Sequence, residues 1–136
     1  MQFLKSGAWN VGEEKVGRQL GIDWFTAGDG FTWESTDLDE TQAKAVAAWA
    51  FARDLVAAGE HQVVILDEAT YAMTWGWVDT TEVVDALVHR PSHVTVIVTG
   101  RDAPAALVDA ADTVTEMRKV KHAFDAGIPA RKGIDY

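Results

Sequence analysis

The chain has 136 residues, 48% of them apolar, which suits one domain with a real core and excludes a disordered chain. Its 21 Asp and Glu outnumber 12 Lys and Arg, for a formal charge of −9. That balance disfavours a nonspecific nucleic-acid binder, and an anionic ligand needs local help from a metal or a few placed cations.

With no cysteine, disulfides and thiolate metal sites are excluded, and a reducing cytoplasm is compatible. The start, Met1-Gln2-Phe3-Leu4-Lys5, lacks the long apolar core of a signal peptide, and no apolar run reaches the ~20 residues of a membrane helix. The chain reads as soluble.

Met1 to Leu4 reads as the tail of a strand and Gly12 to Leu20 as a short helix that Gly21 ends, with Val16 and Leu20 on one face. A short strand is expected over Ile22 to Phe25. From Asp39, an N-cap candidate, Ala45, Ala48, Trp49, Ala52, Leu55 and Val56 fall on one helical face, and Gly59 is the stop. Lys44 and Asp54 lie off that stripe, while Trp49 and Phe51 are expected to pack against neighbouring elements. Gln62 to Leu66 is an unbroken β-branched and aliphatic run, too short for a helix, and is expected to be a strand covered on both sides.

Thr80, Val83, Val84, Leu87 and Val88 form a second amphipathic helix ending before Pro91. Val94 to Val98 is expected as another strand, Ala103 to Ala111 as a helix with Pro104 near its first turn, and Thr113 to Met117 as a last short strand. The rest, to Tyr136, has Gly127, Pro129, Gly133 and no period, and is expected to run over the surface. Arg118, Lys119, Lys121, Arg131 and Lys132 cluster there, as solvated tails commonly do. Strands alternating with helices signal an α/β protein with an open parallel sheet, whose ligands bind at the carboxyl ends of the strands. Three polar segments fall at such ends: Asp67-Glu68, Thr99-Gly100-Arg101, and Thr26 to Trp33. They converge if the strands are neighbours.

Val63-Val64-Ile65-Leu66-Asp67-Glu68 has the form of a metal-holding strand in nucleotide-binding α/β proteins. Two adjacent acids at a strand end point in different directions, so one can face a metal while the other orients a ligand or water. Acids at strand ends also cap the next helix, and that reading stays open. Arg101 follows a strand and a glycine, where its fork of donors suits a phosphate or carboxylate; a surface ion pair fits the spacing equally well. Gly30-Phe31-Thr32-Trp33 places two aromatic rings two residues apart between Asp29 and Glu34, in a pattern suited either to a flat apolar ligand or to core packing. His61, His89, His93 and His122 show no metal-ligand spacing. No G-x-x-x-x-G-K-[ST] phosphate loop is present, and Gly28-Asp29-Gly30 has no Lys after it.

Taken together, Gly30-Phe31-Thr32-Trp33-Glu34, the strand Val63 to Glu68, Thr99-Gly100-Arg101, the segment Val120 to Gly127 and Gly133-Ile134-Asp135-Tyr136 resemble the ATP:corrinoid adenosyltransferases of the CobA/CobO/BtuR type. The resemblance runs in order over essentially all 136 residues, including Gln2-Phe3 with Lys5 and the Gly12-Glu13 pair. It implies one domain over residues 1–136, with a tail from about residue 118, in a three-layer, mostly parallel P-loop NTPase-type sheet with helices on both faces. The implied activity is transfer of the 5′-deoxyadenosyl group of ATP to the cobalt of a reduced corrinoid, in cobalamin biosynthesis or salvage. Mg²⁺ is the implied metal, a homodimer the implied assembly, an electron-donating flavoprotein a further partner and the cytoplasm the location.

By the same resemblance Phe31 and Trp33 lie against the corrin and exclude its lower ligand, Asp67 and Glu68 serve the metal and nucleotide, and Arg101 meets ATP phosphate. A non-catalytic corrinoid carrier is the alternative. A generic P-loop ATPase has no use for the Phe31-Trp33 loop.

Family members carry a G-N-G-K-G-K-[ST]-type loop upstream of the segment that matches Met1, so the fold is expected in an N-terminally truncated form. The 136-residue chain alone is therefore expected to bind ATP poorly. Incubated with Co(I) corrinoid and ATP, it should give at most trace adenosylcorrinoid; robust turnover would overturn this expectation.

Overall fold

The computed structural model describes residues 1–6, 12–28, 38–131 and 133. Strand β1, Gln2–Ser6, is followed by helix α1, Gly12–Gln19, and the three-residue strand β2, Thr26–Gly28. Helix α2, Leu38–Ala58, leads into strand β3, Val63–Leu66. Two helices, α3 over Thr70–Thr74 and α4 over Thr80–Val88, precede strand β4, Thr95–Val98, and helix α5, Ala105–Ala110.

All strand pairs are parallel. β1 pairs with β2 through Gln2 opposite Thr26, and β3 pairs with β4 from Val63 opposite Thr95 to Leu66 opposite Val98. Among the described residues one isolated bridge, Gln2 with Asp67, joins the two pairs, so the strands run in the order β2-β1-β3-β4. At that junction the Phe3 amide donates to Asp67 O at 3.1 Å and the Asp67 amide donates to Met1 O at 2.8 Å.

Side chains alternate across a strand, and here the alternation decides which face is packed. Phe3, Val64 and Leu66 are buried beneath α2, which contributes Ala45, Ala48, Trp49, Ala52 and Val56 at helical spacing. The alanines let the helix backbone approach the sheet closely, and Ala52 is fully buried. Val83 of α4 and Ala72 and Met73 of α3 complete this core, with Val96, Val98 and Leu107 at its margin. Trp49 Nε1 donates to Glu82 Oε1 at 3.0 Å and Arg53 reaches the same oxygen at 3.2 Å, which ties α2 to α4. Phe51 meets the Phe25 ring at 4.9 Å between centroids, so both aromatic residues of α2 pack as expected.

On the opposite face Val63 is 55% and Ile65 48% exposed, and Thr95 and Ile97 are exposed beside them. The expectation that β3 is covered on both sides is therefore corrected: among the described residues its helices lie on one side. A β-branched run has high strand propensity whether or not its second face is covered, so composition alone could not separate the two cases.

Four further expectations change. The strand near residue 22 lies instead at Thr26–Gly28, with Ile22 to Phe25 outside it. Helix α2 begins at Leu38, which puts Asp39 inside the first turn rather than at the cap. Thr113 to Met117 forms no strand; its residues are exposed, Met117 at 94%, and no neighbouring strand pairs with them among the described residues. Helix α3, which sequence periodicity did not reveal, occupies only five residues.

The other boundaries hold closely. Gly59, at φ +67°, stops α2 in the left-handed conformation expected of a helix-ending glycine. Asp79 caps α4 by accepting from the Thr81 amide at 2.7 Å. The tail is exposed and carries one 3₁₀ turn, Phe124–Ala126, with Lys119 paired to Asp125 at 2.8 Å. No helix among the described residues is long and apolar enough to cross a membrane.

The one-sided packing makes a prediction within a single strand. Leu66→Ala should cost about 2–5 kcal/mol, whereas Ile65→Thr, one residue away on the open face, should cost less than about 1 kcal/mol. Urea denaturation of both variants checks this; equal losses would show that the second face is also packed.

Candidate functional site

The parallel register brings two of the three polar strand ends together. Continuing the β3–β4 pairing by one residue sets Asp67 beside Thr99, on the same face as Gln2. Thr99 Oγ1 donates to Asp67 Oδ1 at 2.8 Å and accepts from the Glu68 amide at 3.0 Å. Gln2 Nε2 donates to Asp67 Oδ2 at 3.3 Å. Each Asp67 oxygen thus takes one donor from a flanking strand and keeps acceptor capacity for another partner. The two side chains that hold this half-buried carboxylate, an amide and a hydroxyl, are neutral, and the Met1 ammonium nearby attracts it electrostatically.

Glu68 sits at φ +58°, a conformation that costs a non-glycine residue roughly 1–2 kcal/mol. The Thr99 bond to its amide keeps it there. This turn swings the Glu68 side chain away from the strand alternation, and among the described residues its carboxylate has no hydrogen-bond partner. Helix α3 starts two residues later without a side-chain cap from either acid, so the capping reading of Asp67-Glu68 is not what the structure shows.

The loop after β4 is fastened to the same helix. Thr70 Oγ1 donates to Arg101 O at 2.8 Å, and Thr74 Oγ1 donates to Thr70 O at 2.9 Å and Asp102 O at 3.1 Å. Gly100 takes φ +148°, and a Cβ on it would stand 1.8 Å from Thr70 Oγ1, so only glycine lets the loop lie against α3. The outcome is an exposed Arg101 held by its backbone close to the acids, with its guanidinium unpaired among the described residues. A surface ion pair, the other reading of Arg101, is thus not formed among them.

The third polar segment lies mostly outside the described residues. β2 is separated from β3 by β1, and Phe31 and Trp33, with Asp29 to Glu34 around them, lie outside the described residues, as do Lys132 and residues 134–136. The histidines serve local structure: His61 pairs with Asp23 at 3.0 Å and His93 contacts Gly59 O at 2.8 Å. Trp75 and Trp77 meet edge to face with centroids 4.7 Å apart, and Trp77 packs against the core. An apolar void of about 10 Å³ lies among Phe3, Trp49, Leu66, Met73 and Val83; it is a gap in the core, too small for a ligand.

Among the described residues no three acids or histidines form a cage. A pair of adjacent carboxylates with a threonine hydroxyl is nonetheless the oxygen set that suits Mg²⁺, which keeps several waters and takes other ligands from substrate phosphates. Sequence reasoning found Asp67, Glu68 and Arg101 but not the roles of Gln2, Thr99 and Thr70. The available signal was a polar residue at the in-register position of each flanking strand.

Similarity to known proteins bears on this arrangement. Residues 1–136 match the family model described as ATP:corrinoid adenosyltransferase BtuR/CobO/CobP. The chain is 41% identical over 136 residues to the Salmonella typhimurium protein named corrinoid adenosyltransferase CobA, covering all of this chain and 69% of that protein. It is 43% identical over 138 residues to the Pseudomonas aeruginosa corrinoid adenosyltransferase, covering 100% of this chain and 68% of that one. The corresponding Escherichia coli K12 protein is 40% identical over 136 residues, with 100% and 69% covered.

The fastening of the Arg101 loop is testable. Gly100→Ala must displace Thr70 and should lower stability by at least about 1–3 kcal/mol, read from chemical denaturation. A neutral outcome would mean that the loop does not lie against α3.

Proposed function

The chain belongs to the ATP:corrinoid adenosyltransferase family BtuR/CobO/CobP, and from that membership we propose that it transfers the 5′-deoxyadenosyl group of ATP to the cobalt of a reduced corrinoid. In this reaction the Co(I) electron pair attacks the ribose C5′. A cobalt–carbon bond forms as the C5′–O bond breaks, and triphosphate leaves with that bond's electrons. The observation that carries the reading is the pair of acids at the end of β3, one held by neutral donors and the other turned out by a left-handed residue.

Asp67 and Glu68 are the groups that would hold Mg²⁺, whose chemistry when bound is to offset the charge of the triphosphate. Arg101, fixed through its carbonyl and with a guanidinium unpaired among the described residues, meets a phosphate oxygen. Phe31 and Trp33 lie against one corrin face and exclude the lower axial ligand, which makes the cobalt four-coordinate and easier to reduce. A homodimer, an electron-donating flavoprotein and a cytoplasmic location complete the proposal, with cobalamin biosynthesis or salvage as its setting.

Adenosylcorrinoid formed from ATP labelled in its adenosine moiety tests the reaction even at trace yield. Asp67→Asn and Glu68→Gln should each lower that yield about a hundredfold. Phe31→Ala combined with Trp33→Ala should remove the four-coordinate Co(II) signal of bound corrinoid. Unchanged Co(II) spectra would reject the ring assignment, and corrinoid binding with no labelled product would favour the carrier reading.

A further inference from the structure

The Gln2 side chain is used on one side only. The residue is 5% exposed, Nε2 donates to Asp67 Oδ2, and Oε1 is buried with no hydrogen-bond partner among the described residues. Thr26, opposite Gln2 on β2, likewise buries an unpartnered Oγ1. A polar row, Thr26, Gln2, Asp67 and Thr99, therefore crosses all four strands in register. An unsatisfied buried amide oxygen weakens a fold, and a methionine would fill similar volume without one. What glutamine supplies that methionine cannot is the donor to Asp67.

We propose that Gln2 is a positioning residue that holds the Asp67 carboxylate toward a divalent cation. Its strand puts the donor on that side: β1 lies between β2 and β3, and its bridge to Asp67 sets the two side chains abreast. Thr99 does the same from β4. The two donors brace the carboxylate from opposite flanks, and both act through Asp67 rather than on substrate. Outer groups of this kind orient a metal's ligands, and their loss commonly weakens binding without unfolding the protein. The proposal rests on the reading of Asp67 as a metal ligand, and its test separates the two.

The experiment titrates the full chain with Mn²⁺ alone, following loss of the free-ion electron paramagnetic resonance signal, alongside chemical denaturation. Gln2→Met should keep or raise the denaturation midpoint while weakening Mn²⁺ binding about tenfold. Asp67→Asn should weaken it at least as much, and the double variant no further than Asp67→Asn, because one removal acts through the other. Gln2→Leu repeats the test if methionine does not fit.

Normal Mn²⁺ binding by the glutamine variants, with Asp67→Asn impaired, would overturn the positioning role and leave the metal reading intact. Unchanged binding in Asp67→Asn would overturn the metal reading and the positioning role together.

Discussion

The junction between Gln2 and Asp67 is the constraint on which the rest of the site depends. It is one residue pair wide, yet it joins the two strand pairs into one parallel order. Parallel register then does the assembling. Once Gln2 stands beside Asp67 and Leu66 beside Val98, Thr99 has to fall on the far flank of the same carboxylate. A slip of one residue would turn Asp67 into the apolar core beneath α2 and bring Leu66 out to the open face. Burial therefore protects the register: the transfer cost of exposing Phe3, Val64 and Leu66 is the force that keeps the site's oxygen atoms aligned.

The two faces of the sheet divide the work. One carries the apolar cluster of α2, α3 and α4, and supplies stability. The other carries the polar row, at the carboxyl ends of β3 and β4 and the starts of β1 and β2, and exposed Val63, Ile65 and Ile97. Strain is concentrated at the switch between them. Glu68 has a left-handed backbone, and Gly100 lies so near Thr70 that no side chain fits. Both departures sit where a strand hands over to a loop, and both are secured by threonine hydroxyls, Thr99 on the Glu68 amide and Thr70 on Arg101 O. Positions that cost stability and are held by dedicated bonds belong to sites more often than to scaffolds.

Much of this was legible in the residues. The spacing of Ala45, Ala48, Trp49, Ala52 and Val56 gave the buried face of α2, and the run ending in Asp67-Glu68 gave the strand and its acids. Legibility failed where the decisive fact is a partner rather than a pattern. Thr113 to Met117 has β-branched residues suited to a strand but finds no strand to pair with among the described residues. Val63 and Ile65 read as core because β-branched residues look alike on covered and uncovered faces. Gln2 looked like an ordinary early residue because its role exists only once 65 positions of chain bring Asp67 beside it. Local sequence encodes propensity well; which strands become neighbours is a property of the whole fold.

The chemistry of the brace also bears on which ligand it suits. A chain with formal charge −9 has the more reason to keep a carboxylate exposed to cations rather than to anions. Had a lysine or arginine held Asp67, the pair would be electrically satisfied and would have little left for a metal. An amide and a hydroxyl instead fix the rotamer without adding a countercharge of their own. Arg101 on the adjoining loop is fastened through its backbone carbonyl, and its guanidinium is unpaired among the described residues. Position is thus imposed on both groups by neutral contacts, and their opposite charges remain available for something that bears both a metal and phosphate oxygens.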